Sequence, residues 1–311
     1  MNKFLIAIII SVLTSLASAK NVDFVVPYAP GASGERLAII LLAHMRAELE
    51  SAGMYPVLSF KPGAGSTIGA AAVARSNQLQ IIIISNSIII APIVNKAAPD
   101  YDITKDFVAL EYLGHIPMLL TVNAASPISN IQDMQQLCRK RPLTYGSGGI
   151  GSATHLASAI VMHSIGCNAT HVPYKGIGPA VIDLQGGHID FTTDFVTSIR
   201  PHIVSQTLKP IVAVDKSRNS VYPQLPSMTD LGYKDFDFLN YFILLANSSA
   251  PREDIVTVQQ AMRKMMLSSE LQSQLREAGL LGIGRKIDNE FLVQEHKKYL
   301  KLLSKVNVGS Q

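Results

Sequence analysis

The sequence predicts an α/β fold in which mainly parallel sheets are covered by helices. Apolar strands alternate with helices through loops rich in glycine and serine, which is typical of parallel α/β proteins. The pattern restarts after the apolar strand Met118–Asn123, as a second α/β unit would. A chain of 311 residues also fits two domains of about 150 residues each. We therefore expect two α/β domains.

Hydrophobic periodicity places the individual elements. Leu37, Leu41 and Met45, for example, recur at helical spacing after the first strand. The first half contains strand 22–26, helix 35–51, strand 57–60, helix 68–75 and an isoleucine-rich strand from Ile81 to the polar loop Ser85–Ser87. The second half contains strand 118–123, helix 131–139, strand 143–145, helix 152–165, strand 171–174, helix 179–185, strands 189–191 and 208–214, a crossing segment at 238–245 and helices 252–275 and 288–303.

The first nineteen residues have the pattern of a secretory signal. Lys3 precedes the apolar run Phe4–Leu16, and Ala17-Ser18-Ala19 is the small-x-small sequence that signal peptidase cleaves. An uncleaved anchor is the alternative. No cysteine follows the apolar run, so we expect no lipid anchor. The mature chain is thus predicted to begin at Lys20 and to be periplasmic.

The composition disfavours several classes of function. Charged residues make up only 16% of the chain and the net charge is +4, so a nucleic-acid partner is not expected. Gly146–Gly151 fits the pattern G-x-G-x-x-G, but no acid follows about 20 residues later to hold a ribose, so no nucleotide cofactor is expected. The sequence has no metal-ligand motif. We predict a protein that is not an enzyme; a secreted hydrolase using His155 with Ser152 or Ser147 is a remote alternative.

Four loops follow predicted strands, at Pro27–Gly34, Lys61–Thr67, Ser85–Ser87 and Gly146–Ser152, and the first, second and fourth of them also precede predicted helices. Ligands of open α/β sheets bind beyond the carboxyl ends of the strands. These loops contain glycine and serine and, apart from Lys61, no basic residue. Backbone N–H groups at helix N-termini bind anions without a cationic side chain. The loops therefore indicate an anion site, unless their glycines serve only to make tight turns.

Cys138 and Cys167 are the only cysteines. Each follows a predicted helix and precedes a predicted strand, so the two sulfurs meet if those strands are neighbours. An exported protein can form a disulfide, but the sequence does not give the separation of the Cα atoms. A disulfide and two buried thiols both remain open.

Six segments, in this order along the chain, resemble the solute-binding proteins of tripartite tricarboxylate transporters, the TctC or Bug family. The most specific is His171-Val-Pro-Tyr-Lys-Gly176, followed downstream by Leu184-Gln-Gly-Gly187. The segments are Pro27–Glu35, Pro62–Gly69, Tyr145–Leu156, His171–Gly176, Asp183–Asp190 and Leu225–Gly232.

The resemblance implies a type II periplasmic-binding-protein fold, in which two α/β domains are joined by two crossovers and enclose a ligand cleft. The domains would be 20–122 with 239–311, and 123–238, with hinge closure near Val122-Asn123 and Leu239-Asn240. The implied ligand is a small organic acid or an amino-acid-like carboxylate. The implied partners are membrane transporter subunits, and a membrane signalling partner is the alternative. We expect a monomer without a cofactor.

The resemblance and the loops together give a set of candidate ligand-binding residues. The chain departs from the family pattern at Glu35 and Ser66, and Asn240-Tyr241-Phe242 stands where relatives have a tryptophan. Glu35 would either complement the helix dipole or receive an amino or hydroxyl group of the ligand. The candidates are Tyr28, Ala29, Gly31, Ser33, Gly34, Glu35, Gly65, Ser66, Thr67, Ser85, Asn86, Ser147, Gly149, Gly151, Ser152, His155, Tyr174 and Asp194.

Overall fold

A computed structural model describes most of the chain: residues 20–28, 33–95, 100–215, 221–233, 236, 238–304 and 306. The predicted signal at 1–19 and the candidates Ala29 and Gly31 lie outside the described residues, as does the side chain of Ser33. Within the described part, no helix combines the length and the apolar character needed to cross a bilayer.

The first sheet contains the strands β1 (Lys20–Val26), β2 (Met54–Phe60), β3 (Gln80–Ser85), β4 (Phe107–His115) and β10 (Tyr241–Asn247). Their order in the sheet is β2-β1-β3-β10-β4. Strand β1 is parallel to β2 and β3, whereas β10 is antiparallel to β3 and β4. The helices of this half are α1 (Ser33–Ser51), α2 (Thr67–Ala74), α3 (Ser87–Val94), α8 (Arg252–Met266), α9 (Ser269–Glu277) and α10 (Asn289–Leu303).

The second sheet repeats this plan with the strands β5 (Met118–Asn123), β6 (Leu143–Ser147), β7 (Ala169–Pro173), β8 (Phe191–Phe195) and β9 (Leu208–Ala213). Their order in the sheet is β7-β6-β8-β5-β9. Strand β6 is parallel to β7 and β8, and β5 is antiparallel to β8 and β9. The helices are α4 (Ile131–Cys138), α5 (Ala153–Ser164), α6 (Ile177–Gln185) and α7 (Val196–Val204).

Burial explains why these segments adopt their structures. Four consecutive isoleucines fill β3 and are fully buried, because a central strand packs against helices on both faces. On α1, Leu37, Leu41 and Met45 are buried on one side of the helix, whereas Ile39 is exposed. This apolar stripe at intervals of four residues seats α1 on the first sheet.

The chain passes between the sheets twice. The first crossing is at Ile116-Pro117, between β4 and β5, and the second lies between β9 and β10. The two crossings touch, because the backbone N–H of Ile116 donates to the carbonyl of Asn240 at 3.0 Å. The two halves are therefore joined by two connections that lie side by side.

The first crossing differs from the predicted boundary at residue 122. All of β5 pairs with β8 and β9 in the second sheet, so the second half begins before Met118. Val122 and Asn123 lie at the far end of β5, where the Asn123 amide donates to the carbonyls of Leu184 and Gln185. An apolar strand does not reveal from its own sequence which sheet it joins, and only its partners decide this.

Several elements also differ from the sequence prediction. Strand β4 and helix α7 were not predicted, and α3 forms where only the end of an apolar strand was expected. The predicted helix 252–275 is divided into α8 and α9. The division occurs because the hydroxyl of Ser268 accepts from the N–H of Leu271 at 3.3 Å and so starts a new helix.

Cys138 and Cys167 form a disulfide with their Cα atoms 5.8 Å apart. Cys138 ends α4 and Cys167 lies between α5 and β7, so the bond joins two consecutive helix–strand connections. The choice between bonded and free cysteines, which the sequence left open, is therefore decided by tertiary structure.

Candidate functional site

A cavity of about 610 Å³ lies between the two sheets. Residues of both halves form its wall, and none of the described lining residues is charged. The residues from the first half are Pro27, Tyr28, Gly34, Pro62, Gly63, Gly65, Ser66, Ser85, Ser87, Asn240 and Phe242, and those from the second half are Gly148, Ser152, Ala153, Thr154, Gly176, Ile177, Phe195 and Ser198.

Tyr28, just after β1, organises one side of the cavity. Its hydroxyl oxygen accepts from the backbone N–H of Ser85 at 2.8 Å, and its ring meets the edge of Phe242 with centroids 6.2 Å apart. Gly34 faces this ring so closely that a Cβ there would overlap it. Burial raises the pKa of Tyr28, so its phenol stays protonated.

The loop between β2 and α2 has an unusual backbone. Ala64, Gly65 and Ser66 have φ values of 46°, 64° and 80°, all in the left-handed region. Such conformations cost side-chain-bearing residues about 1 kcal/mol or more. The hydroxyl of Thr67 donates to the carbonyl of Ala64 at 2.7 Å, which holds the turn. The turn places Ser66 at the start of α2, where no side chain caps the helix.

The turn between β3 and α3 presents Ser85 and Ser87 to the cavity. Their hydroxyl oxygens are 2.9 Å apart, and the N–H of Ser87 donates to Ser85 Oγ at 3.2 Å. The intervening Asn86 points away from the cavity. Its amide donates to the carbonyl of Leu239 at 2.9 Å and to the hydroxyl of Tyr299 at 2.8 Å. Asn86 therefore ties the turn to the second crossing and to α10.

Helix α5 contributes two hydroxyl groups from its first turn. Ser152 caps the helix by accepting from the N–H of His155 at 3.2 Å. Thr154 Oγ1 accepts from the N–H of Gly148 at 2.9 Å and lies 3.0 Å from Ser152 Oγ. Both residues line the cavity, so the N-terminus of α5 faces it directly.

Helices α6 and α7 also begin at the cavity. Gly176 and Phe195 are their N-terminal caps, and neither helix has a side-chain cap. On α7, Ser198 faces the cavity and its hydroxyl donates to Asp194 Oδ2 at 2.7 Å. Asp194 itself is fully buried behind this wall, and burial raises its pKa to about 6. Its role in the structure is to position Ser198 and the N–H of Phe195.

A stack of aromatic side chains lies beneath the β6–α5 loop. The rings of His155 and His171 are 3.9 Å apart, and Tyr145 stacks on His171 at 5.0 Å. His171 Nε2 is 2.6 Å from Ser147 Oγ, and His155 Nδ1 accepts from the N–H of Gly151 at 3.2 Å. Burial lowers the pKa of His155 to about 3 and that of His171 to about 4, so both are neutral at pH 7.

The remaining candidates take positions outside the cavity lining. Tyr174 donates to Asp183 Oδ2 at 2.6 Å, and its pKa is raised to about 12, chiefly by burial. The N–H of Gly149 donates to Ser147 Oγ at 3.1 Å. Glu35 lies half-buried in the first turn of α1.

The cavity thus brings together part of the sequence-predicted set. Tyr28, Gly34, Gly65, Ser66, Ser85 and Ser152 line it. The structure places the other described candidates behind or beside the lining: Glu35, Thr67, Asn86, Ser147, Gly149, Gly151, His155, Tyr174 and Asp194.

Several lining residues were absent from the predicted set. Gly176 and Ile177 follow β7 and precede a predicted helix, so the rule that ligands lie beyond strand ends would have found them. Phe195 and Ser198 follow β8, and the same rule would have found them had α7 been recognised. Asn240 and Phe242 carry no such signal. They reach the cavity because the second crossing returns along its wall.

The starts of six helices meet at this cavity within the described chain. Gly34, Ser66, Ser87, Ser152, Gly176 and Phe195 are cap or first-turn residues of α1, α2, α3, α5, α6 and α7, and all of them line it. The positive ends of these helix dipoles favour an anion there. The described residues contain no group of three or more histidine, cysteine, aspartate or glutamate side chains that could hold a metal.

Comparison with known proteins decides the family. The model of the tripartite tricarboxylate transporter family receptor matches residues 46–307. The chain belongs to this family. Its members are periplasmic solute-binding proteins, so the family and the fold are those of binding proteins.

Curated relatives match most of the chain. A Pseudomonas sp. (strain P51) protein of the tcbD-tcbE intergenic region is 28% identical over 91% of this chain and 87% of its own length. The BugT protein of Bordetella pertussis is 26% identical over 80% of this chain and 77% of its own.

Solved structures share the fold of this receptor-family chain. The periplasmic binding protein BugD superposes with a TM-score of 0.79 and 26% identity, covering 94% of this chain and 99% of its own. A protein of R. palustris with adipate has a TM-score of 0.78 at 24% identity, covering 93% and 98%. MatC of Rhodopseudomonas palustris with bound malate has a TM-score of 0.78 at 21% identity, covering 92% and 99%.

Proposed function

We propose that this protein captures a small organic carboxylate in the cavity between its halves and delivers it to a tripartite tricarboxylate-type transporter. The observation that carries the proposal is the meeting of six helix N-termini at a cavity whose described lining residues are all uncharged. Their N–H groups and dipoles attract a carboxylate without the cost of burying a cation.

The size and polarity of the cavity fit a ligand of this class. A volume of about 610 Å³ lies within the usual range for small-molecule sites. The cavity is lined by aromatic rings and by hydroxyl-bearing residues, namely Ser66, Ser87, Ser152 and Ser198. Related structures hold adipate and malate, which are both small dicarboxylates. Amino-acid-like carboxylates belong to the same class, because their carboxylate would be held in the same way.

We infer that ligand binding closes the two halves about the paired crossings. The hydrogen bond from Ile116 to Asn240 joins the two crossings at the point where bending would occur. Export by a cleaved signal at 1–19 and action as a monomer belong to the same proposal, and the Cys138–Cys167 disulfide suits an oxidising compartment. Small-angle scattering should show a smaller radius of gyration when ligand is added.

Two alternatives predict different partners or chemistry. A sensor would present the same closed complex to a membrane kinase, and capture of membrane proteins by ligand-loaded protein distinguishes it from a transporter receptor. A hydrolase would need His155 paired with Ser152 or Ser147. His155 instead accepts from Gly151, and Ser147 pairs with His171 outside the cavity lining, so this alternative has no support from the geometry.

A charge placed at one helix start tests the proposal. Ser152→Asp keeps an oxygen acceptor for the N-cap of α5, because aspartate caps helices as well as serine does. It also puts a negative charge into the cavity. Ser268→Asp is the matched control, since Ser268 caps α9 away from the cavity. Calorimetry with a panel of mono- and dicarboxylates, amino acids and neutral sugars should identify a carboxylate that binds.

Ser152→Asp should weaken binding of that carboxylate by about 100-fold or more, as expected for like charges about 4 Å apart near a protein surface. Ser268→Asp should bind as the wild type does. Binding of a neutral sugar but of no carboxylate, or equal binding by both variants, would contradict the proposal.

A further inference from the structure

Asn240 is a buried amide in the wall of the cavity whose side chain makes no hydrogen bond to the described residues. The residue is 1% exposed and lines the cavity just before β10. Within the described part of the chain, neither its Oδ1 nor its Nδ2 has a hydrogen-bond partner. Its backbone carbonyl, in contrast, accepts from Ile116 at 3.0 Å. The main chain is therefore fixed while both polar ends of the side chain are unsatisfied.

Another buried asparagine shows how such a group is usually satisfied. Asn247 lies at the opposite end of β10 and is also fully buried. Its amide donates to the carbonyls of Ser76 at 2.7 Å and Gln78 at 3.1 Å, and its Oδ1 accepts from the N–H of Gln80 at 2.9 Å. Buried amides that stay unpaired destabilise the fold, so the two free ends of Asn240 require an explanation.

Asn240 lies close in sequence to an aromatic pair in the wall of the cavity. Phe242 lies two residues further along on the same face, and it packs against the ring of Tyr28. Ile177 and Phe195 line the cavity from the second half. Asn240 is the only asparagine or glutamine among the described lining residues, and it lies apart from the helix starts whose N–H groups suit a carboxylate.

We propose that Asn240 selects ligands that carry a hydroxyl or amino substituent in addition to the carboxylate. An amide offers one acceptor and two donors. A hydroxyl group can satisfy both kinds at once, and an ammonium group, which only donates, satisfies the acceptor Oδ1. A carboxylate only accepts, so it would leave Oδ1 of Asn240 unpaired. This inference rests on the proposed function, and it adds that Asn240 discriminates hydroxy- or amino-substituted acids from their unsubstituted analogues.

Matched pairs of acids provide the test. The full-length mature protein is titrated by calorimetry with malate against succinate, lactate against propionate and aspartate against succinate. For the pair that fits the cavity, the substituted acid should bind at least about tenfold more tightly, because the analogue leaves a buried amide unpaired.

Asn240→Leu should abolish this preference, because the affinity for the substituted acid should fall and the affinity for the unsubstituted acid should rise. Its melting temperature should equal or exceed that of the wild type, because two unpaired polar atoms are removed. Asn77→Leu is the control, since Asn77 is exposed and lies outside the cavity lining. If the leucine variant does not fold, Asn240→Ala provides the same comparison with a smaller side chain.

The outcomes separate the two proposals. Equal affinity for both members of each pair, or a preference that persists in a folded Asn240 variant, overturns the role of Asn240 and leaves the carboxylate receptor intact. Failure of every acid in the wider panel to bind overturns the proposed function and the role of Asn240 with it.

Discussion

The phenol of Tyr28 accepts a hydrogen bond from the backbone N–H of Ser85 at 2.8 Å. These residues follow β1 and β3, which are neighbouring parallel strands of the first sheet. The bond therefore fixes the relative position of two loops that line the cavity. It also satisfies an N–H group at the end of β3 that would otherwise be unpaired.

Tyr28→Phe should lower the free energy of unfolding by about 1 kcal/mol, because the N–H of Ser85 loses its acceptor. Ligand affinity should fall as well, since the two loops are no longer joined. Urea denaturation and calorimetry measure these effects. Tyr55→Phe, on the exposed side of β2, is the control and should change neither value. An unchanged free energy of unfolding in Tyr28→Phe would show that this hydrogen bond does not stabilise the fold.

The left-handed residues of the β2–α2 loop give a second prediction. Ala64→Gly and Ser66→Gly should each stabilise the fold by about 1 kcal/mol, because glycine adopts these φ values without strain. Only Ser66 lines the cavity, so Ser66→Gly alone should reduce ligand affinity. Thermal denaturation and calorimetry of both variants provide the measurement. Destabilisation by both substitutions would mean that the loop is not strained.

The disulfide should contribute about 3 kcal/mol to stability, because Cys138 and Cys167 are separated by 29 residues. Reductant should lower the melting temperature of the wild type but not that of the double variant Cys138→Ala/Cys167→Ala. Neither cysteine lines the cavity, so the ligand affinity of the folded double variant should be unchanged. A melting temperature that does not respond to reductant would contradict this expectation.

The stacked histidines should make stability depend on pH. Burial holds the pKa of His155 near 3, below the value of about 6.5 in an unfolded chain. Between these values the unfolded chain binds a proton that the folded protein does not, so stability present above pH 6.5 is lost as the pH falls. The loss from His155 should reach about 3 kcal/mol at pH 4.

Urea denaturation from pH 4 to pH 8 tests this dependence. The buried carboxyl of Asp194 acts in the opposite direction, because its pKa is raised to about 6 and its contribution declines as the pH rises. The difference between His155→Asn and the wild type at each pH isolates the histidine. His188→Asn, at an exposed position, should parallel the wild type. A curve for His155→Asn that also parallels the wild type would contradict the assignment.

How well each element could be predicted depended on the kind of signal that its local sequence carries. Strand β5 was predicted with its bounds because four of its six residues are apolar and Asn123 ends the run. Helix α3 was not predicted, because apolar residues occupy every face of this helix and therefore show no helical periodicity. Among the lining residues, Ser66 and Ser152 were predicted because they stand between a strand and a helix. Asn240 was predicted only as a hinge residue, because the sequence does not show that the second crossing returns along the cavity.

The sequence alone determined the two α/β units, the family and the glycine- and serine-rich loops that become helix starts. These depend on local periodicity and short motifs, which neighbouring residues carry. Tertiary structure decided that β5 joins the second sheet, that Cys138 and Cys167 bond, that Asn86 turns away from the cavity and that Asn240 faces it. The reason is that each depends on contacts between residues far apart in the chain, and such contacts leave no pattern in the local sequence.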